Sequence, residues 1–599
     1  QVRDELTIPR PCIDMRTVGL NAEWSQELKL EESLEEYVKG AMLVEMLRSS
    51  GRLPVAPGFA DVVYDMSVGY DLAGIRSERV QTFLRGMLDA RAHVDRLRRA
   101  IPASLASLRD LDFPRRLADT VTLSTFHGCP PHEIERIMTF LLRDLGLHAI
   151  VKLNPMLLGP EDTRRLLHDV LGYHDLRVPD RAFERDTTWD QAVDIVGRLR
   201  ETARSAGVGF GVKLTNTLIV ENAGGFLPSA EKEVYLSGPP LHVLSMELVR
   251  RFRRTFGGEL PISFSAGIDR RNFPDAVALG LVPVTVCTDL LKKGGFGRLG
   301  AYHAELAKRM DAVGAKTVPE LIRAAYGQAA SNRPVAAEAN GPTAASGSAG
   351  RGRAGDAAGE PLSATVVLNT EQYVERLLAD PRYRAAHNEK PPKKIGSRLH
   401  LFDCVTCDLC IAACPNDAIF TFTPPSPEIP IVKLGRAAGG RLVWRREGDI
   451  RLGERHQIGV FADFCNQCGN CDVFCPEDGG PYVEKPRFHG AASRARDGRM
   501  RQGFHAGRAA GVERIAARID GEDWTLEVVG DRFDCRGPKF HVRFDASDPA
   551  GTVTGTVDVA AGEEADITRL FVLDAIRRGV LDESAVNPVA SFAAAKEGA

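Results

Sequence analysis

The sequence predicts an α/β barrel-like domain, then a smaller cysteine-rich α+β domain and a small C-terminal α+β appendage. Three observations lead to this fold class. Strand-like apolar runs alternate with amphipathic helical segments over residues 1–330. Two cysteine runs lie within residues 398–490, and a segment rich in Ala, Gly, Ser and Pro at 331–363 separates them from the first region. At 599 residues, the chain has room for three or four folded units.

The first region contains six strand candidates, each a short run of apolar and β-branched residues. They cover 61–68, 120–125, 148–154, 208–215, 260–267 and 282–288. The helical candidates between them cover 32–49, 77–99, 131–145, 161–171, 189–206, 242–256, 272–280 and 299–313. Repeated strand–helix units predict a parallel sheet with helical crossovers, either a (β/α)8 barrel or a doubly wound sheet. In both architectures, chemistry collects at the carboxyl ends of the strands.

The rest of the chain divides by composition. We predict a flexible linker over 331–363 and a short helical connector over 364–397, with its helix at 370–385. Residues 421–459, between the cysteine runs, predict a hairpin. Residues 491–599 contain further strand-like runs and one helix, and their basic segment is interpreted as a solvated helix face, with docking of an acidic partner as the alternative.

Two near-identical cysteine runs form the most specific motif. Each has the spacing C-x2-C-x2-C-x3-C-P, as in bacterial ferredoxins that bind two [4Fe–4S] clusters. In that pattern, three closely spaced cysteines bind one cluster and the fourth, before proline, binds the other cluster. The first predicted site therefore combines Cys404, Cys407, Cys410 and Cys475. The second predicted site combines Cys465, Cys468, Cys471 and Cys414.

Two other interpretations of the cysteines fit less well. A zinc ribbon needs only two cysteines in each half and no terminal Cys-Pro pair. A disulfide framework belongs to small secreted chains. The remaining cysteines are scattered and look reduced, as in a reducing cytosol: Cys12, Cys129, Cys287 and Cys535.

The composition excludes some classes of partner. The formal net charge is −3 with 26% charged residues, which gives no nucleic-acid or anionic-membrane footprint. No apolar run approaches the ~20 residues of a spanning helix, and no signal peptide is visible. We therefore expect a cytoplasmic protein. The chain opens on "QVRDEL" without Met, so we expect it to be processed or part of a longer protein.

Several predicted strand ends carry more polar and glycine residues than packing requires. The junctions at 263–269 and 287–300 follow consecutive last strands and end in small residues, which is typical of a phosphate site in a barrel. Lys152 and Lys213 each lie inside an apolar strand, where a charge needs a partner unless it reaches the rim. Cys129 lies on a strand-to-helix loop beside His127, a position that fits a proton-transfer thiol as well as a buried structural cysteine.

The order of these loops resembles the FMN barrel of dihydroorotate and dihydropyrimidine dehydrogenases. The segment "LSTFHGCPPHEIE" is similar to the loop of that family that carries its acid/base cysteine, which implies Cys129 as the catalytic residue. The segment "IVKLNP" is similar to the one whose lysine contacts FMN, which implies Lys152. The further FMN-binding residues that the resemblance implies are Asn154, Lys213, Asn216, Thr217, Ser237, Gly238, Ala266, Gly267, Cys287 and Thr288.

A closer resemblance covers most of residues 1–310. The segments "MSVGYDLAGI", "VKLNPMLLG" and "TDLLKKGGFGRL" are similar to the selenate reductase subunit family, which is linked to purine catabolism. Members typically carry an FAD/NAD(P) domain in the same chain. We find no dinucleotide-binding fingerprint with its acidic ribose partner here, so we expect a separate FAD/NAD(P)-binding flavoprotein subunit. The barrel of the family begins earlier than Gln1, so we expect the barrel to be incomplete at its N-terminus.

Two functions follow from these expectations. In the first, FMN in the barrel exchanges a hydride with a small purine- or pyrimidine-related substrate, and the two clusters pass electrons to the flavoprotein subunit. In the alternative, the chain is a non-catalytic electron-transfer subunit with a degenerate barrel. Glutamate synthase fits poorly, because neither its amidotransferase nucleophile nor its three-cysteine pattern is visible. Either function suits a homo- or hetero-oligomer.

Overall fold

The computed structural model describes most of the chain in several stretches. These are residues 9–22, 29–51, 56, 61–125, 127–327, 362–495, 502–560, 562–582, 584 and 586–597. The predicted linker lies almost wholly outside the described residues, as does Gln1. Within the described stretches, no helix combines the length and the apolar character that crossing a membrane requires.

Two sheets form the first domain. The parallel sheet has the order β3-β4-β5-β6-β9, from strands Asp65–Val68 (β3), Thr120–Ser124 (β4), His148–Leu153 (β5), Phe210–Leu214 (β6) and Ile262–Phe264 (β9). An antiparallel sheet of order β1-β2-β8-β7 comprises Ile13–Asp14 (β1), Gly19–Asn21 (β2), Leu218–Glu221 (β7) and Glu233–Ser237 (β8). The parallel strands are rich in Val, Ile and Leu because helices cover them.

Thirteen α-helices of the described residues lie in the first domain and the first part of its connector. They are Leu30–Ser49 (α1), Leu72–Arg76 (α2), Glu78–Leu88 (α3), Arg91–Ala100 (α4), Pro131–Thr139 (α5), Pro160–Arg164 (α6), Asp180–Arg185 (α7), Trp189–Ala206 (α8), Pro239–Phe256 (α9), Phe273–Ala278 (α10), Leu299–Ala312 (α11), Val318–Ala324 (α12) and Leu362–Ala379 (α13). Local signals set their ends. Helix α8, for example, begins with a capping box of Thr188 and Gln191 and ends at Gly207, whose φ is 71°.

The strand predicted at 282–288 is not formed. Val284 makes a single parallel bridge to Phe264, and Val282 is 70% exposed. A strand needs a ladder on at least one side, and among the described residues no strand pairs with the far side of this segment or of β3. The described part of the barrel is therefore a five-stranded parallel sheet with a sixth bridging segment.

The predicted connector is longer and better packed than expected. Its helix α13 begins at residue 362, not at 370, and packs against α9 of the barrel. The buried Asn369 side chain donates hydrogen bonds to the carbonyl oxygens of Ala278 (3.0 Å) and Ile322 (2.7 Å). Tyr373 bonds the buried His242 at 2.8 Å. This helix therefore forms part of the barrel domain.

The two C-terminal regions share one sheet. Its order β10-β13-β14-β15-β16-β17-β18-β19-β20 joins the region of the cysteine runs to the C-terminal region. A second sheet, β12-β11-β21, contains the hairpin that was predicted between the cysteine runs, so this prediction is confirmed. The strands are Ile419–Phe422 (β10), Glu428–Arg436 (β11), Leu442–Arg451 (β12), Gln457–Phe461 (β13), Arg487–Phe488 (β14), Gln502–Ala509 (β15), Val512–Ile519 (β16), Glu522–Val529 (β17), Arg532–Gly537 (β18), Phe540–Asp545 (β19), Thr554–Val557 (β20) and Ala565–Asp566 (β21).

The later α-helices include two short ones within the cysteine runs and one longer helix that packs on the C-terminal sheets. They are Ala385–Asn388 (α14), Leu409–Ala413 (α15), Asn470–Phe474 (α16), Pro481–Glu484 (α17), Ala492–Ala495 (α18), Pro549–Thr552 (α19), Thr568–Val580 (α20) and Pro588–Glu597 (α21). The interpretation of the basic segment as a helix face was wrong, because β15 and β16 form a hairpin there. Ala510 and Gly511 both have positive φ angles, which a two-residue hairpin turn requires.

We expect Asn369→Ala to destabilise the first domain. It removes the donor for two buried carbonyl oxygens, at a cost of about 1–3 kcal/mol. The measurement is the midpoint of urea unfolding, followed by tryptophan fluorescence. Glu375→Ala, on the exposed side of the same helix, is the matched control and should leave the midpoint unchanged. An unchanged midpoint in Asn369→Ala would show that α13 does not stabilise the barrel.

Candidate functional site

A cavity of about 470 Å³ opens at the carboxyl ends of the parallel strands. Ser124 and Thr125 line it after β4, Lys152 lines it near the end of β5, and Asn216 and Thr217 follow β6. This is the edge where parallel α/β folds place their chemistry. The structure thus brings three of the predicted FMN residues, Lys152, Asn216 and Thr217, into one cavity.

A chain of side-chain amides fixes the floor of this cavity. The amide of Asn216 donates to Asn154 Oδ1 and to the carbonyl oxygen of Thr125, both at 2.7 Å. Asn154 in turn donates to the two carboxylate oxygens of Asp186, at 3.0 and 2.8 Å. The backbone N–H of Thr187 also donates to this carboxylate, at 2.8 Å. Because these groups are largely buried and satisfied, they hold the ends of three strands and one loop in a fixed arrangement.

His127 lies above this network. Its Nδ1 is 3.4 Å from Asp186 Oδ2, an ion-pair contact that lacks hydrogen-bond alignment, and its ring stacks on Tyr235 with the centroids 5.7 Å apart. Both rings line the cavity. Sequence reasoning missed Asp186 and Tyr235. Asp186 follows a short helix far along the chain, where its local pattern is that of an ordinary loop residue.

Cys129 lies deeper than its proposed role suggested. It is 2% exposed and is not among the residues that line the cavity. Burial, followed by the carboxylates of Glu133, Asp186 and Asp71, raises the pKa of its thiol to about 12. At neutral pH this thiol therefore holds its proton.

Two lysines give the barrel interior its positive charge. Burial, followed by repulsion from Lys213, lowers the pKa of Lys152 to about 8, while Cys287 acts in the opposite direction. Burial also lowers the pKa of Lys213, against the attraction of Asp65. Lys152 keeps part of its surface open to the cavity although protein surrounds it on most sides. An anionic group beside Lys152 would relieve this cost.

The predicted phosphate loops meet at a second point, around Gly19 of β2. Ser237 Oγ donates to the carbonyl oxygen of Gly19 at 3.2 Å, and Thr288 Oγ1 donates to Ser237 Oγ at 3.0 Å. A Cβ on Gly267 would lie 2.3 Å from the carbonyl oxygen of Gly238, so only glycine fits there. Ala266 is buried beside this contact, and its carbonyl oxygen bonds His242 at 2.8 Å.

Four of the eight cysteines in the two runs come together as the crossed pattern requires. One cavity is lined by Cys404, Cys407, Cys410 and Cys475. Burial raises the pKa of Cys410, and the thiols that act on it electrostatically are Cys475, Cys404 and Cys407. Burial likewise raises the pKa of Cys468 to about 12, and Cys414 and Cys465 of its own predicted group act on it, together with Cys12. Burial also raises the pKa of Cys471, on which Cys468 and Cys465 act before Cys410.

We expect the free energy of unfolding to depend on pH through the ionisation of Lys152. Below pH 8 the ammonium group is charged in both states, and its burial costs free energy. Between pH 8 and 10.5 the folded state is neutral while the unfolded state still binds the proton, so the cost falls as the pH rises. The stability advantage of Lys152→Met over the wild type should therefore shrink by about 2 kcal/mol between pH 7 and 9.5.

Urea unfolding at several pH values measures this difference. Lys308→Met, on an exposed face of α11, is the control and should show the same difference from the wild type at each pH. A Lys152→Met difference that stays constant with pH would show that Lys152 is not buried as a cation.

Comparisons with known proteins identify the family of the barrel domain. Residues 1–334 match the family model described as "Oxidoreductase YgfK, N-terminal TIM-barrel domain". The chain is 38% identical over 325 residues to the oxidoreductase YgfK of Escherichia coli strain K12 and equally to that of strain O157:H7, which covers 51% of this chain and 31% of each relative. It therefore spans about a third of the length of these curated relatives.

Two more distant similarities involve dihydroorotate dehydrogenases. The dihydroorotate dehydrogenase (quinone) of Mannheimia succiniciproducens is 32% identical over 110 residues, which is 18% of this chain and 31% of that protein. A solved dihydroorotate dehydrogenase from Eimeria tenella, in complex with ferulenol, is 17% identical and covers 39% of this chain and 68% of that one, with a TM-score of 0.23. The family match spans more than half of the chain, so the protein belongs to the YgfK oxidoreductase family and carries its N-terminal TIM-barrel domain.

Proposed function

We propose that this chain is an iron–sulfur flavoprotein subunit. FMN would bind in the barrel mouth, two [4Fe–4S] clusters would bind the crossed cysteine groups, and a separate FAD/NAD(P)-binding flavoprotein would exchange electrons with them. The substrate would be a small purine- or pyrimidine-related molecule, as the resemblance to dihydropyrimidine dehydrogenases implies.

One observation carries the cluster proposal: Cys475 of the second run lines the same cavity as Cys404, Cys407 and Cys410 of the first. Four thiols around one space, with the fourth drawn from the other run, fit a cubane cluster. Among the described residues, no group of three or more His, Cys, Asp or Glu side chains is arranged to hold a metal ion. The C-x2-C-x2-C spacing and the terminal Cys-Pro pair of each run favour a cluster over zinc.

The barrel residues also fit FMN. The buried cation of Lys152 and the hydrogen-bonded side-chain amides of Asn154 and Asn216 suit a polar, anionic heterocycle. FMN, when bound, converts between two-electron and one-electron transfers. Lys152 would neutralise negative charge beside it, and Asn216 would orient it. Cys129 would hold a proton for delivery, and its burial would exclude water from that proton.

A second candidate is a non-catalytic relay in which the barrel is only a scaffold. It is favoured by the edges of β3 and of the segment at 282–288, which no strand of the described residues pairs with, because an edge without a neighbouring strand gives a cofactor fewer walls. The two candidates differ in one property, the binding of flavin, and they share the clusters.

We expect Cys410→Ser to lose one cluster and leave flavin in place. Iron should fall from about eight to about four atoms per chain, because Cys410 belongs to one cysteine group only. The measurement is iron, sulfide and acid-released flavin after anaerobic purification. Cys535→Ser is the matched control, since Cys535 is equally buried but lies in β18 outside both cysteine runs.

Unchanged iron in Cys410→Ser would contradict the assignment of that thiol. Loss of flavin together with the iron would contradict separate barrel and cluster sites.

A further inference from the structure

The two cysteine groups have different surroundings. We name the group of Cys414, Cys465, Cys468 and Cys471 the inner site and the group of Cys404, Cys407, Cys410 and Cys475 the outer site. The inner site touches the barrel directly. The carbonyl oxygen of Cys468 accepts hydrogen bonds from the backbone N–H groups of Cys12 (3.0 Å) and Ile13 (3.1 Å). Cys468 and Val473 are also part of the hydrophobic core of the barrel.

Asn470 strengthens this contact. It is fully buried, and its amide donates to the carbonyl oxygens of Leu291 in the barrel and of Ala413 beside Cys414, both at 2.7 Å. Gly295 of the same barrel loop approaches the first cysteine helix so closely that a Cβ would lie 2.3 Å from the carbonyl oxygen of Ala412. The barrel loop that follows Cys287 and Thr288 is therefore fastened to the backbone around the inner site.

The cavity of the outer site is lined by residues of the cysteine-rich region. Cys407 is exposed, and Val405 on the same loop is 46% exposed. Asp408, which follows Cys407, is also exposed, and its carboxylate forms a hydrogen bond with His456 at 2.9 Å. Cys410 and Cys475 are buried behind this loop, so the Cys404–Cys407 edge is the side of the outer site that solvent reaches.

We infer that the two clusters act in series: the cluster of the inner site is the one next to the barrel, and the cluster of the outer site exchanges electrons with a redox partner. This inference rests on the proposed binding of two clusters. One electron at a time would pass between the one-electron carrier of the partner and the outer cluster, and then between the outer and inner clusters. Each transfer would oxidise one carrier and reduce the next, and no bond would form or break and no proton would move.

The opposite order of the two clusters predicts a different pattern of access for small solutes. If the inner cluster exchanged electrons with the partner, small solutes would reach it, and the barrel contact through Asn470 would obstruct the partner. If both clusters exchanged electrons with the partner, solutes would reach both equally. Access to solvent therefore distinguishes the three arrangements without an assay of turnover.

The experiment is electron paramagnetic resonance of the dithionite-reduced full chain, purified anaerobically, with and without the paramagnetic chelate Ni–EDTA. Cys468→Ser should keep only the outer cluster, and Cys407→Ser only the inner one. We expect Ni–EDTA to raise the half-saturation power of the outer signal several-fold and to leave the inner signal nearly unchanged. Equal effects on the two signals, or a larger effect on the inner one, would overturn the inferred order.

Two further variants cover the case in which a serine variant loses both clusters. Asn470→Ala should alter only the inner signal and Asp408→Asn only the outer one, which assigns both signals in a protein that keeps both clusters. The Ni–EDTA effect is then compared in the wild type, and the same outcomes decide the order. A wild-type chain with full iron but the wrong access pattern refutes the order alone, whereas a chain without about eight irons refutes the proposed clusters.

Discussion

The crossed grouping of the cysteines is the constraint on which the rest of the structure depends. In the proposed pattern each run supplies three thiols to one group and a fourth, before proline, to the other, and the structure places Cys475 beside Cys404, Cys407 and Cys410. The two runs must therefore be held against each other, and the antiparallel pair β10 and β13 does this between them. The same sheet continues into the C-terminal region, which becomes a support for the cysteine runs rather than an independent appendage.

One buried amide strengthens the contact between the cysteine runs and the barrel. Asn470 cannot remain in the interior without hydrogen-bond partners, because an unsatisfied buried amide donor costs about 1–3 kcal/mol. Its partners come from the barrel and from the first run, so its burial fixes three parts of the chain together. In the barrel mouth, the carboxylate of Asp186 has a comparable role, since Asn154 and Thr187 donate to it and His127 lies against it.

Much of this could be predicted from the sequence where the signal is local. Strands β4, β5 and β6 follow from short β-branched runs, and the position of Cys475 beside the first run agrees with the cysteine spacing. The segment at 282–288 has the same composition and lies beside β9, but no strand of the described residues pairs with its far side, which its own residues do not reveal. The hairpin β15–β16 was missed because its Arg- and Ala-rich residues favour helices, whereas the Ala510–Gly511 turn decides the outcome. Asp186, Tyr235 and Cys12 reach their sites only through distant contacts that no single segment encodes.

The central claim is that one chain joins a flavin barrel to two clusters. Anaerobic purification of the chain, followed by iron, sulfide and acid-released flavin per polypeptide, tests it most directly. The account predicts about eight irons and about one FMN per chain. Full iron without flavin would contradict the catalytic barrel and leave a relay, and iron well below eight would contradict the crossed clusters themselves.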